Sequence, residues 1–319
     1  MTIDLDKIVR ISPELIDEPR DELRKPLLKS LRFIVRILAP YIFGNKHTDL
    51  WNAGRLIGKI HGKNTIDARC QDGGWLCLPL PVYTSHFLFG PDHKRFNRDN
   101  ITPLIKKFAK EGTVAIDVGA SCGQEVVAMS RAVGKKGTVY CFEPSDSFRA
   151  LVRTVGLNRL DNVVCVKTAC GAKNGFIDGS ENQLYFIGNE YSYQNEGAPV
   201  IRVSDFLRCV QETREVSLIK IDTDGFEWEV LQGCKEIIDE NETHIIAEFE
   251  THFKYSGLQG ISAIERYRKF GFDVHKIQTS YSLLDEVETQ QFIEEMNITE
   301  NMIAHDIVLK PRTKKLANH

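Results

Sequence analysis

The sequence has no CxxC pair among its eight cysteines. Zinc ribbons and dithiol redox motifs are thereby disfavoured, and several of the cysteines, Cys141 and Cys165 among them, stand in apolar runs that read as buried strands holding reduced packing residues. No stretch approaches the roughly 20 apolar residues of a membrane-spanning helix. The opening MTIDLDKIVR is charged and carries no secretory-type apolar run, so the expected location is cytoplasmic and the sequons at Asn241 and Asn297 are read as chance. Charge of one sign is also lacking: 41 Lys and Arg against 44 Asp and Glu leave a net −3. Without a global cationic field to hold a polyanion, nucleic acid is not an expected partner.

A chain of 319 residues can bury a large core and still carry an extension. Residues 20–40 place Leu23, Leu27, Leu31, Ile34, Val35 and Leu38 on one helical face, with Arg24, Lys25, Lys29, Arg32 and Arg36 largely elsewhere. Two readings of this basic amphipathic helix stay open, docking on its own domain and peripheral contact with an anionic membrane surface. Residues 66–89 are short β-type runs broken by QDGG and by Pro79 and Pro81, the signature of a hairpin. Strands at 114–118, 138–142 and 163–167 then alternate with helices at 123–133 and 145–158. The pattern pauses over 174–199, which is rich in Gly, Asn and aromatics, and resumes with a strand at 217–222, a helix at 225–233, a strand at 244–250 and a helix at 261–270. Strands at 272–277 and 305–309 close it. Such alternation predicts a parallel sheet covered by helices on both faces.

Chemistry concentrates in three blocks. In AIDVGASCGQE, residues 115–125, a strand ends at Asp117 and Val118 and turns through Gly119 and Gly123 into a helix. Glycines there would let a ligand approach the backbone, and the helix start presents free N–H groups. The G-x-G-x-x-G of a dinucleotide fingerprint is incomplete, and Asp117 would repel a pyrophosphate. A carboxylate suits instead a cationic amino-acid end, such as the ammonium and sulfonium of S-adenosylmethionine. Glu143, closing the strand in YCFEPS, is placed to accept both ribose hydroxyls.

The second block is SLIKIDTDGFEWEVLQG, residues 217–233. Asp222 ends a strand expected beside the first one, where the sheet order reverses and a ligand crevice opens. Asp224 and Glu227 have capping-box spacing, so holding the helix start is as good a reading for them as catalysis. In the third block, HIIAEFETHF at 244–253, alternation sends Glu248 and Glu250 to one face and leaves His252 just past the strand end, a position suited to a general base. Asp222 and His252 are therefore the candidate catalytic residues. A Mg²⁺ held by Asp222, Asp224 and Glu250 is an alternative that the spacing does not require, and no metal is expected.

At these blocks, over roughly residues 110–275, the chain resembles the FkbM family of S-adenosylmethionine-dependent methyltransferases, most of which methylate oxygen on sugars, glycolipids and macrolide-type metabolites. The family's D-x-G-A-x-x-G, F-E-P and K-I-D-x-E-G-x-E segments stand here as DVGASCG, FEP and KIDTDGFE. The resemblance implies that Asp117, Gly119, Ala120, Ser121 and Gly123 line the methionine end, that Glu143, with Pro144, holds the ribose, and that Ala169 lies by the adenine. The chain departs from the pattern at Asp224, where glutamate is usual, and at Phe226, where a small residue is common.

The expected fold is α/β, a Rossmann-like doubly wound, mostly parallel seven-stranded sheet of the class I methyltransferase type. An N-terminal extension occupies 1–100, the methyltransferase domain 101–312 and a tail 313–319. The expected reaction is in-line methyl transfer to the hydroxyl of a small-molecule or glycan acceptor. The aromatics Phe176, Tyr185, Phe186, Tyr191 and Tyr193 suit sugar rings, and the carboxylates Asp285, Glu286, Glu288, Glu294, Glu295 and Glu300 would repel a phosphate backbone. An NAD-dependent oxidoreductase and a non-catalytic cofactor-binding or scaffold protein are the competing readings.

Overall fold

A computed structural model describes residues 8–9, 65–70, 73–79, 101–177, 198–223, 225–250, 252–253, 258–259, 261–277, 283, 291 and 304–312. The basic amphipathic segment 20–40, most of the aromatic and acidic segments, Asp224 and the tail lie outside the described residues. Among those described, no helix is long and apolar enough to cross a membrane.

The strands are β1 (Ile8–Val9), β2 (Thr65–Arg69), β3 (Trp75–Pro79), β4 (Val114–Val118), β5 (Thr138–Phe142), β6 (Val163–Val166), β7 (Ala169–Cys170), β8 (Gly175–Ile177), β9 (Ala198–Ile201), β10 (Val216–Ile221), β11 (His244–Glu250), β12 (His252–Phe253), β13 (Leu258–Gln259), β14 (Phe272–Lys276) and β15 (Ala304–Pro311). The helices are α1 (Thr102–Phe108), α2 (Val126–Val133), α3 (Phe148–Leu157), α4 (Val203–Cys209), α5 (Glu227–Gly233), α6 (Lys235–Glu240) and α7 (Ile261–Lys269).

One sheet runs β1-β6-β5-β4-β10-β11-β15-β14. From β6 to β11 the pairs are parallel, and β15 runs antiparallel to both β11 and β14. The seven expected strands are present, and Ile8–Val9 adds an eighth at the outer edge by antiparallel pairing with β6. The chain moves outward from β4 through β5 to β6, then returns to lay β10 on the other side of β4. The order therefore reverses between β4 and β10, and the carboxyl ends of these strands are where open α/β sheets bind their ligands.

Continuous apolar runs make β4, β5, β6 and β10 buried on both faces, as a parallel sheet requires. Alternation divides their side chains between two cores. Ile116, Val118, Phe142, Ile219 and Ile221 meet Phe206 of α4, Val230 and Leu231 of α5, and Tyr267 of α7. Ala115, Cys141, Cys165 and Leu218 meet Leu104 and Ile105 of α1, Val126 and Met129 of α2, and Leu151 of α3. Asp117 and Lys220 share the parity of this second set, so two ionisable residues stand in a row that is otherwise apolar.

Three differences from the sequence-based expectation concern local geometry. The helix after β4 begins at Val126, not at residue 123, because 121–125 is taken up by turns. The helix after β10 begins at Glu227, since Gly225 has φ +105 and cannot extend it. A small sheet, β7-β9-β8, flanks the segment where the alternation pauses, and Ala169 is part of it, pairing with Val200.

The expected hairpin forms from β2 and β3, with Thr65 opposite Pro79 and Arg69 opposite Trp75. Its apolar face, Ala68, Leu76 and Leu78, packs on Ala150 and Leu157 of α3 and on Cys122 from the glycine turn. Polar fasteners fix the register. Asp67, 3% exposed, takes a two-pronged ion pair from Arg153, the Cys77 N–H donates to Thr154 Oγ1 at 2.9 Å, and the Trp75 N–H donates to Asn158 Oδ1 at 2.8 Å. The hairpin thus clamps the helix that backs the glycine turn.

Candidate functional site

The crevice is assembled from residues at successive strand ends. β4 delivers Asp117 and the turn 119–123, β5 delivers Glu143, β10 delivers Asp222, and β11 delivers Glu248. Register sets their order, since Lys220 pairs with Asp117 across β10 and β4, and Ile221 pairs with Ala247 across β10 and β11. The Asp222 N–H donates to the Val118 carbonyl at 3.0 Å, which carries the ladder one residue past β10.

In the turn, Gly119, Ser121 and Gly123 have φ of +79°, +46° and +85°. This alternation curls the backbone so that the Gly119 and Ala120 N–H groups both donate to the Phe142 carbonyl, at 3.0 and 3.1 Å. The Ser121 N–H donates to Glu143 Oε2 at 2.7 Å, and the Ser145 N–H donates to Glu143 Oε1 at 2.8 Å. Glu143 therefore ties the turns after β4 and β5 together, each oxygen keeping lone-pair capacity for a further donor. Burial raises its carboxyl pKa, opposed by the Ser145 and Ser121 contacts and by the Lys220 charge. The side chain of Ala120, 1% exposed, belongs to the core, so only its backbone can line a ligand. Pro144 is half-buried on the same rim.

Two expectations change in this turn. Asp117 is fully buried, so it offers no surface to a ligand, and the cation nearest to it in the described residues is the protein's own: Lys220 Nζ lies 3.8 Å from Oδ1. What Asp117 presents to the strand ends is therefore its field and not its surface. The missing side chain of Gly119 does not leave room for a ligand either. A Cβ there would lie 1.7 Å from the Asp222 carbonyl oxygen, so the glycine admits the neighbouring backbone.

Lys220 was not singled out in the sequence, although a lysine inside the buried run VSLIKI was the available signal. Its ammonium donates to Asp222 Oδ2 at 3.0 Å and lies 3.9 Å from Oε2 of Glu125, the residue before α2. Desolvation would lower its pKa, but Asp222, Glu125 and Asp117 together raise it well above the usual lysine value, so it remains a cation. Asp222 keeps 43% of its side chain open. Its surroundings would raise its pKa by desolvation, yet the Lys220 charge and hydrogen bonds with Lys220 and Glu248 hold it below the ordinary aspartate value. Asp117, Glu125 and Asp222 thus lie within 4 Å of one ammonium, Glu143 feels its charge, and Glu248 is hydrogen-bonded to Asp222. Among the described residues acidic side chains outnumber the one lysine at these strand ends, a balance that suits a cationic ligand better than a pyrophosphate.

Glu227 has a structural task. Its Oε1 accepts from the Thr223 N–H at 2.9 Å, the Thr223 hydroxyl at 3.1 Å and the Gly225 N–H at 3.2 Å, which fastens the turn after Asp222. It reaches back over the turn before its own helix, and Phe226 takes the N-cap position. The backbone of His252 lies in β12, just past β11 as expected, but its side chain lies outside the described residues, as does that of Glu250. Among the described residues no group of three or more side chains is arranged to hold a metal ion.

Residues 117–288, just over half of the chain, match the family described as the methyltransferase FkbM domain. No curated protein matches the chain. Among solved structures, the FkbM methyltransferase of Methylobacillus flagellatus KT aligns at 12% identity and a TM-score of 0.39, over 70% of this chain and 47% of its own. This chain therefore spans about half the length of that protein. A SAM-dependent methyltransferase from Aquifex aeolicus aligns at 14% identity and a TM-score of 0.37, covering 72% of this chain and 92% of its own. A SAM-dependent O-methyltransferase from Thermotoga maritima aligns at 14% and 0.39, covering 81% and 82%. All three likenesses are distant.

Proposed function

The chain belongs to the FkbM methyltransferase family, and from that premise we propose that it transfers the methyl group of S-adenosylmethionine to a hydroxyl oxygen of a neutral acceptor, a sugar or a glycolipid headgroup. Its sheet is the doubly wound, mostly parallel class I sheet, with antiparallel β15 next to the edge. The observation that supports the reading is the cluster of Asp117, Glu125 and Asp222 on Lys220, with Glu143 and Glu248 on the neighbouring strand ends, at the reversal of strand order.

S-adenosylmethionine fits this donor set because its ammonium and sulfonium meet an excess of carboxylate. The bound cofactor supplies an electrophilic methyl group on a positively charged sulfur. Glu143, already oriented by the Ser121 and Ser145 N–H groups, would accept the ribose hydroxyls with its remaining lone pairs. Asp222 keeps 43% of its side chain open and is ionised, and it is the first candidate to accept the hydroxyl proton as the new oxygen–carbon bond forms. His252 is the second candidate for that proton. Alignment of oxygen and methyl in a crevice with little water accounts for the rest of the acceleration.

Two measurements test the assignment. Glu143→Ala is expected to weaken S-adenosylmethionine binding by about 1.5–3 kcal/mol, the range for hydrogen bonds to a charged group. Unchanged affinity by calorimetry in a folded variant removes Glu143 from the pocket. Asp222→Asn is expected to lower kcat about 100-fold at saturating cofactor, so that the loss is separate from any loss of cofactor affinity. The acceptor class is read by incubating labelled cofactor with separate pools of glycans, glycolipids, nucleic acids and peptides. Label in the glycan or glycolipid pool supports the proposal, and label confined to nucleic acid or peptide refutes it.

A further inference from the structure

We propose that the amino ends of β5 and β6 carry a second ligand site, a cationic cavity that binds a compact phosphate-bearing anion. It lies at the opposite end of the sheet from the strand-end carboxylates and does not rest on the cofactor reading above.

The cavity has a volume of about 670 Å³ and is bounded by the turns that lead into the two strands. Arg131 comes from the last turn of α2, Lys135 and Lys136 from the turn at 134–137, Arg159 from just past α3, and Arg214 from just before β10. Against these five cations the lining offers one acid, Asp161. Two further carboxylates stand close by: Glu212 holds Arg214, and Glu111 lies beside Gly134. Lys135, Lys136 and Arg159 are exposed and have no ion-pair partner among the described residues.

The turn at 134–137 is held so that it presents donors. Asn162 Nδ2 donates to the Gly134 carbonyl at 2.9 Å and to the Ser130 carbonyl at 3.1 Å, and the Ser130 hydroxyl fixes that amide by donating to Asn162 Oδ1 at 2.6 Å. On the other side Arg214 Nη1 donates to the Lys136 carbonyl at 2.8 Å. With those carbonyls engaged, Lys135 and Lys136 leave two amides and two ammoniums open, and neither amide has an acceptor among the described residues. A multiply charged oxyanion satisfies such a set, because each of its oxygens accepts several hydrogen bonds and the lysine and arginine charges add Coulomb attraction. A bounded hollow of this size fits a compact di- or triphosphate group, whereas a nucleic-acid strand needs cations spaced along its backbone. The ammonium and sulfonium of the cofactor suit the carboxylates at the other ends of these strands, so the two sites take ligands of opposite charge.

The test is calorimetric titration of the full chain with inorganic tripolyphosphate in dilute buffer, where wild type is expected to bind saturably at a single site. Lys136→Glu combined with Arg159→Glu should weaken binding about tenfold or more, while Lys106→Glu combined with Lys269→Glu, the same reversal at exposed lysines outside the cavity, should change it less than about twofold. Thermal unfolding checks that both variants fold, and Lys136→Gln with Arg159→Gln is the milder pair. Co-sedimentation with phosphatidylcholine vesicles, with and without phosphatidylglycerol, tells the source of the phosphate. Capture by the anionic vesicles that the cavity variant loses assigns a lipid headgroup, and tripolyphosphate binding without capture assigns a soluble phosphate. No binding of either probe, or equal weakening in the control variant, overturns the inference. So does a single-stranded oligonucleotide that binds wild type more tightly than tripolyphosphate and is lost in the cavity variant, since the site would then serve a nucleic-acid strand.

Discussion

Gly119→Ala is expected to cost about 2–5 kcal/mol of folding stability and to take cofactor binding with it. Two penalties combine. At φ +79° an alanine pays the left-handed cost of about 1–2 kcal/mol, and its Cβ would sit 1.7 Å from the Asp222 carbonyl oxygen. That oxygen cannot swing aside cheaply, because the Asp222 N–H is tied to the Val118 carbonyl and β4 and β10 are central strands. Forcing them apart is a case of overpacking, at about 1–3 kcal/mol. Gly123→Ala is the comparison. Its φ of +85° brings the same backbone cost, but its Cβ would meet only the side-chain tips of Leu151 at 3.0 Å and Thr154 at 3.2 Å, which can give way. Urea unfolding of both variants checks the argument. A Gly119→Ala protein no less stable than Gly123→Ala would show that the contact with Asp222 is not the constraint.

The second large effect concerns pH and Glu227. Burial at 1% exposure raises its carboxyl to about 7, against the hydrogen bonds it accepts from the Thr223 and Gly225 amides, with Asp222 adding to the rise. The folded state therefore binds a proton more tightly than the unfolded chain, whose ordinary value is 4.5. The stability from this group is fully present below pH 4.5 and is lost as pH rises through 7. The difference amounts to about 3 kcal/mol. Glu227→Gln keeps an oxygen acceptor for the turn but cannot ionise, so its stability should lack this component. Between pH 5 and pH 8 wild type should lose roughly 2–3 kcal/mol more than the variant by denaturant unfolding. Parallel profiles would mean that Glu227 is ionised in the folded protein throughout. Glu212, which Arg214 holds down at about 2, titrates below this window and does not obscure the comparison.

The strands at 114–118, 138–142, 244–250 and 272–276 were legible because a buried parallel strand is a short apolar run bounded by turn residues. The neighbourhood of Asp222 and the first strand followed from chain order, since a doubly wound sheet must reverse somewhere. The glycine turn was legible as a turn, but its purpose was not. Residue 119 lacks a side chain on account of a carbonyl belonging to residue 222, about a hundred positions away, and no local pattern carries that information. Helix starts were misplaced by a few residues for a related reason. A helix starting at 123 is as acceptable locally as one starting at 126, and it is the bonds from the Gly119, Ala120 and Ser121 N–H groups to β5 and Glu143 that hold 121–125 as turns.

What the sequence determined by itself is what depends on period and on nearest neighbours: the alternation of strand and helix, a hairpin within 66–89, the doubly wound sheet and the family motifs on its strand ends. The tertiary structure decided what depends on burial and on field. Asp117 reads as a ligand contact until Lys220 is found beside it in the register of β4 and β10. Glu227 reads as a cap or an acid until its oxygen is seen holding the turn at 223–225. Desolvation and Coulomb interaction act between groups close in space whatever their separation along the chain. The contacts of Lys220 with Asp117, Glu125 and Asp222, and of Glu248 with Asp222, could therefore be seen only once three strands and a helix start had been laid side by side.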